Sequence, residues 1–339
     1  MSTILVTGGT GYIGSHACVA LIEAGHQPVI LDNLTNSSVE VVSRIEQITG
    51  VRPIFIEGDV LDSPLLDQTF ATHTPEAVMH FAGLKAVGES VEQPLAYYHN
   101  NVSGSISLLQ AMERAGVHNL VFSSSATVYG DPASNPIRED FPRNAANPYG
   151  QTKLMVEDIM ADLHASGGGW NLACLRYFNP VGAHGSGLIG EAPGGTPNNL
   201  MPFVSQVAVG QREKLSVFGG DYPTVDGTGV RDYIHVMDLV DGHVAALDYL
   251  SGQDGVLLNV NLGRGKGVSV LEMVEAFERA CGKPIPYEVV GRRTGDVAQY
   301  WGDPTMANEL LGWSAERGVD EMCIDTWRWQ SNNPWGYDS

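Results

Sequence analysis

The chain has 339 residues, enough for one large or two moderate domains around a substantial core. Its 39 acidic residues outweigh 19 basic ones, and the formal net charge of -20 argues against nucleic acid and against an anionic membrane surface as partners. No run of about 18 apolar residues occurs, and the first residues lack the basic, apolar and small-residue zones of a signal peptide, so a soluble cytoplasmic protein is expected.

The first element is the apolar run Ile4-Leu5-Val6, a predicted strand near 3–7. It leads straight into Thr7-Gly8-Gly9-Thr10-Gly11-Tyr12-Ile13-Gly14, a G-x-x-G-x-x-G turn that opens a helix over 12–25. This order makes a dinucleotide pyrophosphate site: Gly8 permits the tight turn, Gly11 the approach of backbone to phosphate, and Gly14 the packing of helix on strand. The new helix then offers free N–H groups and positive partial charge to the anion. Pro28-Val29-Ile30-Leu31 reads as the next buried strand, with Asp32 at its end. A carboxylate there accepts from the adenosine ribose hydroxyls and repels a 2′-phosphate, which favours NAD over NADP.

Further short apolar runs near 53–57, 77–82, 119–124 and 172–178 alternate with helical patterns, among them 94–115 and 149–166. The alternation predicts an α/β fold whose parallel sheet is doubly wound, with ligands at the carboxyl ends of the strands. Asp32, Asp59, Phe81-Ala82-Gly83 and Ser123-Ser124-Ser125 all fall at such ends. After Asn179-Pro180-Val181-Gly182 the texture turns to glycine, proline and asparagine, and the loop over 185–200 is expected to be a lid or binding loop. Amphipathic segments near 200–210, 235–250, 269–281 and 319–330 complete a smaller mixed α/β part. The expected division is residues 1–180 for the cofactor and 181–339 for the substrate, with part of 230–262 packing back on the first. Cys18, Cys174, Cys281 and Cys323 form no C-x-x-C pair and read as reduced core cysteines. The ten histidines form no H-E-x-x-H, so no metal is implied.

Tyr149-Gly150-Gln151-Thr152-Lys153 carries the chemistry. Asn147 suits an N-cap and Pro148 the first helical position, so Tyr149 and Lys153 fall one turn apart on one face. A phenol titrates near pH 10, and ionising half of it at pH 7 requires about 4 kcal/mol. The Lys153 ammonium and a positive nicotinamide ring are expected to supply it. Ser125, at a strand end, would share a substrate hydroxyl with Tyr149.

With these residues the chain resembles the extended short-chain dehydrogenase/reductases, and within them the nucleotide-sugar 4-epimerases. The similarity runs through TGGTGYIGSH, HFAGLKAVGES (80–90), SSSATVYG (123–130), PYGQTKLMVE (148–157), RYFNPVGAH (176–184), NNLMP (198–202), DGTGVRDYIHVMDL (226–239) and RRTGD…YW (292–301). The resemblance implies a Rossmann-type fold, tightly held NAD, and exchange of UDP-glucose with UDP-galactose through a 4-keto sugar. By match to its motifs Tyr149 is base and then acid, Ser125 assists, and Lys153 binds the nicotinamide ribose. Tyr12 and Ile13, Asp32, Asn33, Leu34, Thr35, Asn36 and Ser37, Asp59 and Val60, and Phe81, Ala82, Gly83, Leu84 and Lys85 match cofactor positions. Asn100 and Phe178 do so too. Lys85, Asn179, Asn199, Leu200, Phe218, Arg231, Arg293, Asp296 and Tyr300 match substrate positions, with the arginines on the diphosphate. The resemblance further implies that a bulky residue at the position of Tyr300 narrows the hexose pocket against an N-acetyl group at C2.

Two alternatives remain at this point. A 4,6-dehydratase shares the fold but needs an acid and base pair after the serine strand, where this chain has Ala126-Thr127-Val128-Tyr129-Gly130. A non-catalytic NAD protein would be expected to lack the Ser125, Tyr149 and Lys153 set. The resemblance also implies a homodimer through 94–115 and 149–166, whose stripes Leu108, Leu109 and Met112, and Met155, Ile159, Met160 and Leu163, have helical spacing. Those stripes equally suit the chain's own sheet.

Overall fold

The computed structural model describes residues 1–338 apart from 196 and 294, so one position of the predicted lid loop and one of the closing segment lie outside the described residues. Seven strands form the main sheet: β1 (Thr3–Thr7), β2 (Gln27–Asp32), β3 (Ile54–Glu57), β4 (Ala77–His80), β5 (Asn119–Ser125), β6 (Asn171–Tyr177) and β10 (Val256–Leu262). Their order is β10-β6-β5-β4-β1-β2-β3, and every pairing is parallel. The direction of winding reverses between β1 and β4, the crevice at which open α/β sheets bind ligands.

The side-chain period of two splits each strand between two cores. Ile4, Val6, Ile30, Met79, Val121 and Leu175 face one layer, with α1 (Tyr12–Glu23), α2 (Glu40–Thr49), α9 (Val236–Ser251) and α11 (Thr305–Leu311). Leu5, Val29, Val78, Leu120, Phe122 and Leu172 face the other, with α3 (Ser63–His73), α6 (Gly104–Ala115) and α7 (Pro148–Ala165). Both faces are covered, which is why these strands read as continuous apolar runs.

The predicted helix over 94–115 is three pieces. After α4 (Val87–Glu92), α5 (Pro94–Tyr97) runs into a π-turn over Tyr98–Ser103 before α6 begins. The widened turn buries Asn101, whose carbonyl accepts from Ser105 Oγ at 2.6 Å. Wide turns of this kind concentrate at functional sites. The stripes divide as well: Leu108, Met112 and Met160 are fully buried in the sheet's own core, while Leu109, Ile159 and Leu163 line an open groove of about 330 Å³ between α6 and α7. Met155 is 39 % exposed.

The rest of the chain has its own core, in which α8 (Leu200–Ala208), α10 (Val270–Cys281) and α12 (Val319–Asn332) pack around β8 (Leu215–Phe218). A small sheet of β7 (Asn179–Val181), β9 (Val230–His235), β11 (Gly267–Ser269) and β13 (Gln299–Tyr300) faces the crevice, and β12 (Tyr287–Val290) pairs β8. Asn179 opens strand β7. Cys18, Cys174 and Cys323 are buried free thiols, but Cys281 is only half-buried, since it lies in the last turn of α10. No described helix is long and apolar enough to cross a membrane.

Candidate functional site

The glycine turn sits at the crevice because nothing larger fits. Gly8 has φ +71°, and a Cβ on it would stand 2.6 Å from the Ala82 nitrogen at the end of β4. A Cβ on Gly14 would lie 2.2 Å from the Gly8 carbonyl oxygen, so α1 is pressed against the turn. Gly11 is the N-cap of α1 and carries no side-chain cap, which leaves the first helical N–H groups facing the crevice. Beside them Gly83 keeps a narrow space open: a Cβ there would meet Asn101 Oδ1 at 3.3 Å and Lys153 Nζ at 3.8 Å. These clefts fit a dinucleotide laid across the strand ends.

Asp32 is more engaged than a carboxylate awaiting ribose. It accepts from Thr10 N at 3.0 Å, Leu34 N at 2.9 Å and Ser37 Oγ at 3.0 Å, and so organises its own loop. About one of its four lone-pair positions remains for a ligand. Leu34 takes φ 59° in that loop, and Thr35 N donates to Asn33 Oδ1. Asn33 Nδ2 donates to Asp59 at 2.8 Å, Asn36 is exposed, and Val60 packs beneath against Gly104. Phe81 stacks on His243 at 5.0 Å, and Ile13 is half-buried on α1.

Asn101, next to the expected Asn100, ties this side together. Its Oδ1 accepts from Leu84 N at 2.8 Å and from Asn100 Nδ2 at 2.9 Å, and its Nδ2 donates to Leu84 O and Thr152 Oγ1, both at 3.0 Å. A buried asparagine at a π-turn carries no sequence signal of its own.

The helix start expected at Asn147-Pro148 is present. Asn147 Oδ1 accepts from Gly150 N at 2.8 Å and Pro148 opens α7, so Tyr149 and Lys153 share one face. Glu157, one turn on, accepts from Ser124 Oγ at 2.6 Å and pairs with buried Arg176 at 2.8 Å. Those bonds hold α7 against the ends of β5 and β6. Ser125 Oγ accepts from Thr127 N at 3.2 Å and Thr127 Oγ1 at 3.0 Å. Both acceptor positions being used, its own proton is what it has to give.

Taken together, the chain's own groups do not lower the Tyr149 pKa. Burial holds the Tyr149 phenol above its ordinary pKa, and the Ser125 hydroxyl only partly offsets this. Lys153 stands 6.0 Å from the Tyr149 ring, donates to Ser123 O at 2.7 Å, and is itself pushed down to about 8 by burial. At pH 7 it still carries its charge, yet the chain's own groups keep Tyr149 protonated.

On the facing side Tyr300 pairs in register with Arg231, stacks 5.7 Å from Phe178, and donates to Ala126 O at 2.5 Å, beside Ser125. Arg231 meets Asp296 at 3.5 Å, and the Arg293 guanidinium lies 3.8 Å over Phe218. Lys85 and Asn199 both reach Glu191, at 3.0 Å and 3.1 Å, and Leu200 begins α8 next to them. Asn199 precedes α8 and makes no side-chain cap on it. Glu191 was not foreseen, because nothing in its own neighbourhood of sequence marks it. The loop that contains it is fastened: Arg328 holds Gly185 O at 2.7 Å, Arg44 holds Leu188 O at 3.0 Å, and Ile189 is fully buried.

A family model described as the NAD dependent epimerase/dehydratase family matches residues 4–263. The UDP-glucose 4-epimerase of Bacillus subtilis (strain 168) is 60 % identical over 336 residues, covering 99 % of this chain and 99 % of that protein. The UDP-glucose-4-epimerase structure from Stenotrophomonas maltophila, with bound NAD and formylated UDP-arabinopyranose, superposes with TM-score 0.97 at 52 % identity, over 98 % of this chain and 99 % of that one. The Bifidobacterium longum UDP-glucose 4-epimerase in complex with NAD+ and UDP gives 0.95 at 48 %, over 99 % and 100 %.

Proposed function

The chain belongs to the NAD dependent epimerase/dehydratase family, and on that premise we propose how its crevice interconverts UDP-glucose and UDP-galactose. It is an NAD-dependent isomerase, and no net oxidation occurs. Bound NAD supplies a hydride acceptor and donor for C4 together with a positively charged ring.

The arrangement of Ser125, Tyr149 and Lys153 carries the reading. Tyr149 takes the proton of the C4 hydroxyl, and later returns it to the oxygen of the 4-keto sugar. Ser125, with both acceptor positions filled by Thr127, donates its one O–H to the same oxygen and holds it in line. Because burial keeps the Tyr149 pKa up, the nicotinamide ring of bound NAD would supply positive charge beside it, to which Lys153 adds its own. Lys153 retains two N–H bonds beyond that to Ser123 O, suited to ribose hydroxyls beside Gly83. Glycines 8, 11 and 14 take the pyrophosphate, and Asp32 with Asn33 to Ser37, Asp59 and Val60 takes the adenosine.

Arg231 and Arg293 hold the substrate diphosphate against the chain's unfavourable overall charge, Phe218 and Asp296 flank the uridine, and Asn179, Phe178 and Tyr300 enclose the hexose. The working division assigns residues 1–180 and the returning α9 and β10 to the cofactor and the remainder of 181–339 to the substrate. Two chains pair through the groove between α6 and α7, where Ile106, Leu109, Ile159 and Leu163 offer apolar surface, and the protein works in the cytoplasm.

Incubation of the purified protein with UDP-galactose and no added cofactor, followed by proton NMR, tests this reading. UDP-glucose is expected to form, and Tyr149→Phe to slow its formation by about a thousandfold or more. Absence of interconversion even after NAD is supplied would overturn it.

A further inference from the structure

The fastened segment 182–191 runs from the substrate side across the mouth of the glycine turn. Tyr12, at the start of α1, donates to Gly182 O at 2.8 Å, and Arg44 of α2 donates to Leu188 O. The segment ends at Glu191, whose main chain is fixed from behind. Its carbonyl accepts from Trp329 Nε1 at 3.3 Å, and a Cβ on the preceding Gly190 would lie 2.4 Å from the Trp329 ring. From there its carboxylate reaches two neighbouring loops. Oε1 accepts from Lys85 Nζ, on the loop that follows β4, and from Asn199 Nδ2, just before α8.

One oxygen thus joins a residue of the cofactor side to a residue of the substrate side, and both were singled out as substrate contacts. The Glu191 side chain is 10 % exposed and the Lys85 side chain 54 %, so solvent screens the pair and it contributes little to stability. What it sets is direction. With Nδ2 tied to the carboxylate, Asn199 Oδ1 is turned away as a free acceptor, and Lys85 keeps two N–H bonds and stays at the crevice rather than in bulk water.

We infer that Glu191 is a positioning residue for the proposed reaction, orienting Lys85 and Asn199 toward the UDP-hexose. The inference rests on the reading of the site given above. Glu191→Gln keeps length and an acceptor for Asn199 but removes the charge that holds Lys85. In the protein as purified with its cofactor, KM for UDP-galactose is expected to rise about tenfold and Kd for UDP, by calorimetry, to weaken by a similar factor. The kcat should stay within about threefold, and the melting temperature within about 2 °C. Lys85→Met should raise KM at least as far, and adding Glu191→Gln to it should cost nothing more.

KM and UDP affinity within about twofold of wild type, or losses that add in the double variant, would overturn the inference. So would a fall in kcat and melting temperature at unchanged KM, the mark of a purely structural role. Turnover by the wild type tests the epimerase reading itself, whereas the ratio of variant to wild type tests Glu191.

Discussion

The two walls of the crevice are built by different means. The wall proposed for the cofactor is made mostly of backbone: strand ends in register, glycines whose Cβ positions are already occupied, and asparagines bonded to main chain, as when Asn101 clamps Leu84 from both sides. The wall proposed for the substrate is made of side-chain pairs drawn from distant segments, Arg231 with Asp296, Lys85 with Glu191, Arg293 over Phe218 and Tyr300 on Ala126. Backbone geometry cannot exchange partners and suits a ligand that stays. Ion pairs at partly exposed positions can, and they suit one that enters and leaves on each cycle.

Lys153 is the strongest test of this contrast, since it is a buried charge on the backbone-built wall. Replacing it with Met should lower interconversion by about 10²- to 10³-fold. Burial holds its pKa at about 8 against the ordinary 10.5. Below pH 8 it is charged in folded and unfolded chains alike, and the folded state bears the full cost. Between 8 and 10.5 the unfolded chain binds the extra proton, so wild-type stability should rise with pH. Melting curves of Lys153→Met against wild type should show the variant at its relative best below pH 8 and losing ground by pH 10. A difference independent of pH would show that the ammonium is not buried at a cost.

A backbone-built wall should also fail as a whole. Gly14→Ala, whose new Cβ would meet the Gly8 carbonyl at 2.2 Å, should destabilise by about 1–3 kcal/mol in chemical denaturation and leave protein that retains less NAD. Retention at the wild-type level would mean that α1 can shift without opening the pyrophosphate cleft.

The paired wall should fail locally. Arg231→Ala removes charged hydrogen bonds of about 1.5–3 kcal/mol to the diphosphate, raising KM by about 10- to 100-fold with little change in melting temperature, because Asp296 is left near solvent. The smallest effects belong to Tyr300. Phenylalanine there loses only the bond to Ala126 and should alter kcat/KM for UDP-glucose by about threefold, with the pocket still closed to UDP-N-acetylglucosamine. Cysteine should open it. Equal behaviour of the two variants would place the discrimination elsewhere.

The amino-acid sequence alone determined the glycine turn at the strand ends and the placing of Tyr149 and Lys153 one turn apart on α7. Strand period, glycine spacing, the Asn147-Pro148 start and the step from Tyr149 to Lys153 are local patterns, and local backbone geometry turns them into positions without reference to the rest of the chain. Tertiary structure alone decided what each side chain found across the crevice: that Asp32 is engaged by its own loop, that a π-turn buries Asn101, that Leu108 and Met112 face the sheet while Leu109 faces the groove, and that burial raises the Tyr149 pKa against a partial offset from Ser125. Glu191 meets Lys85 across 106 positions of chain, and Tyr300 meets Ala126 across 174. No periodicity spans such distances, because partners that far apart are chosen by packing and desolvation rather than by the path of the backbone.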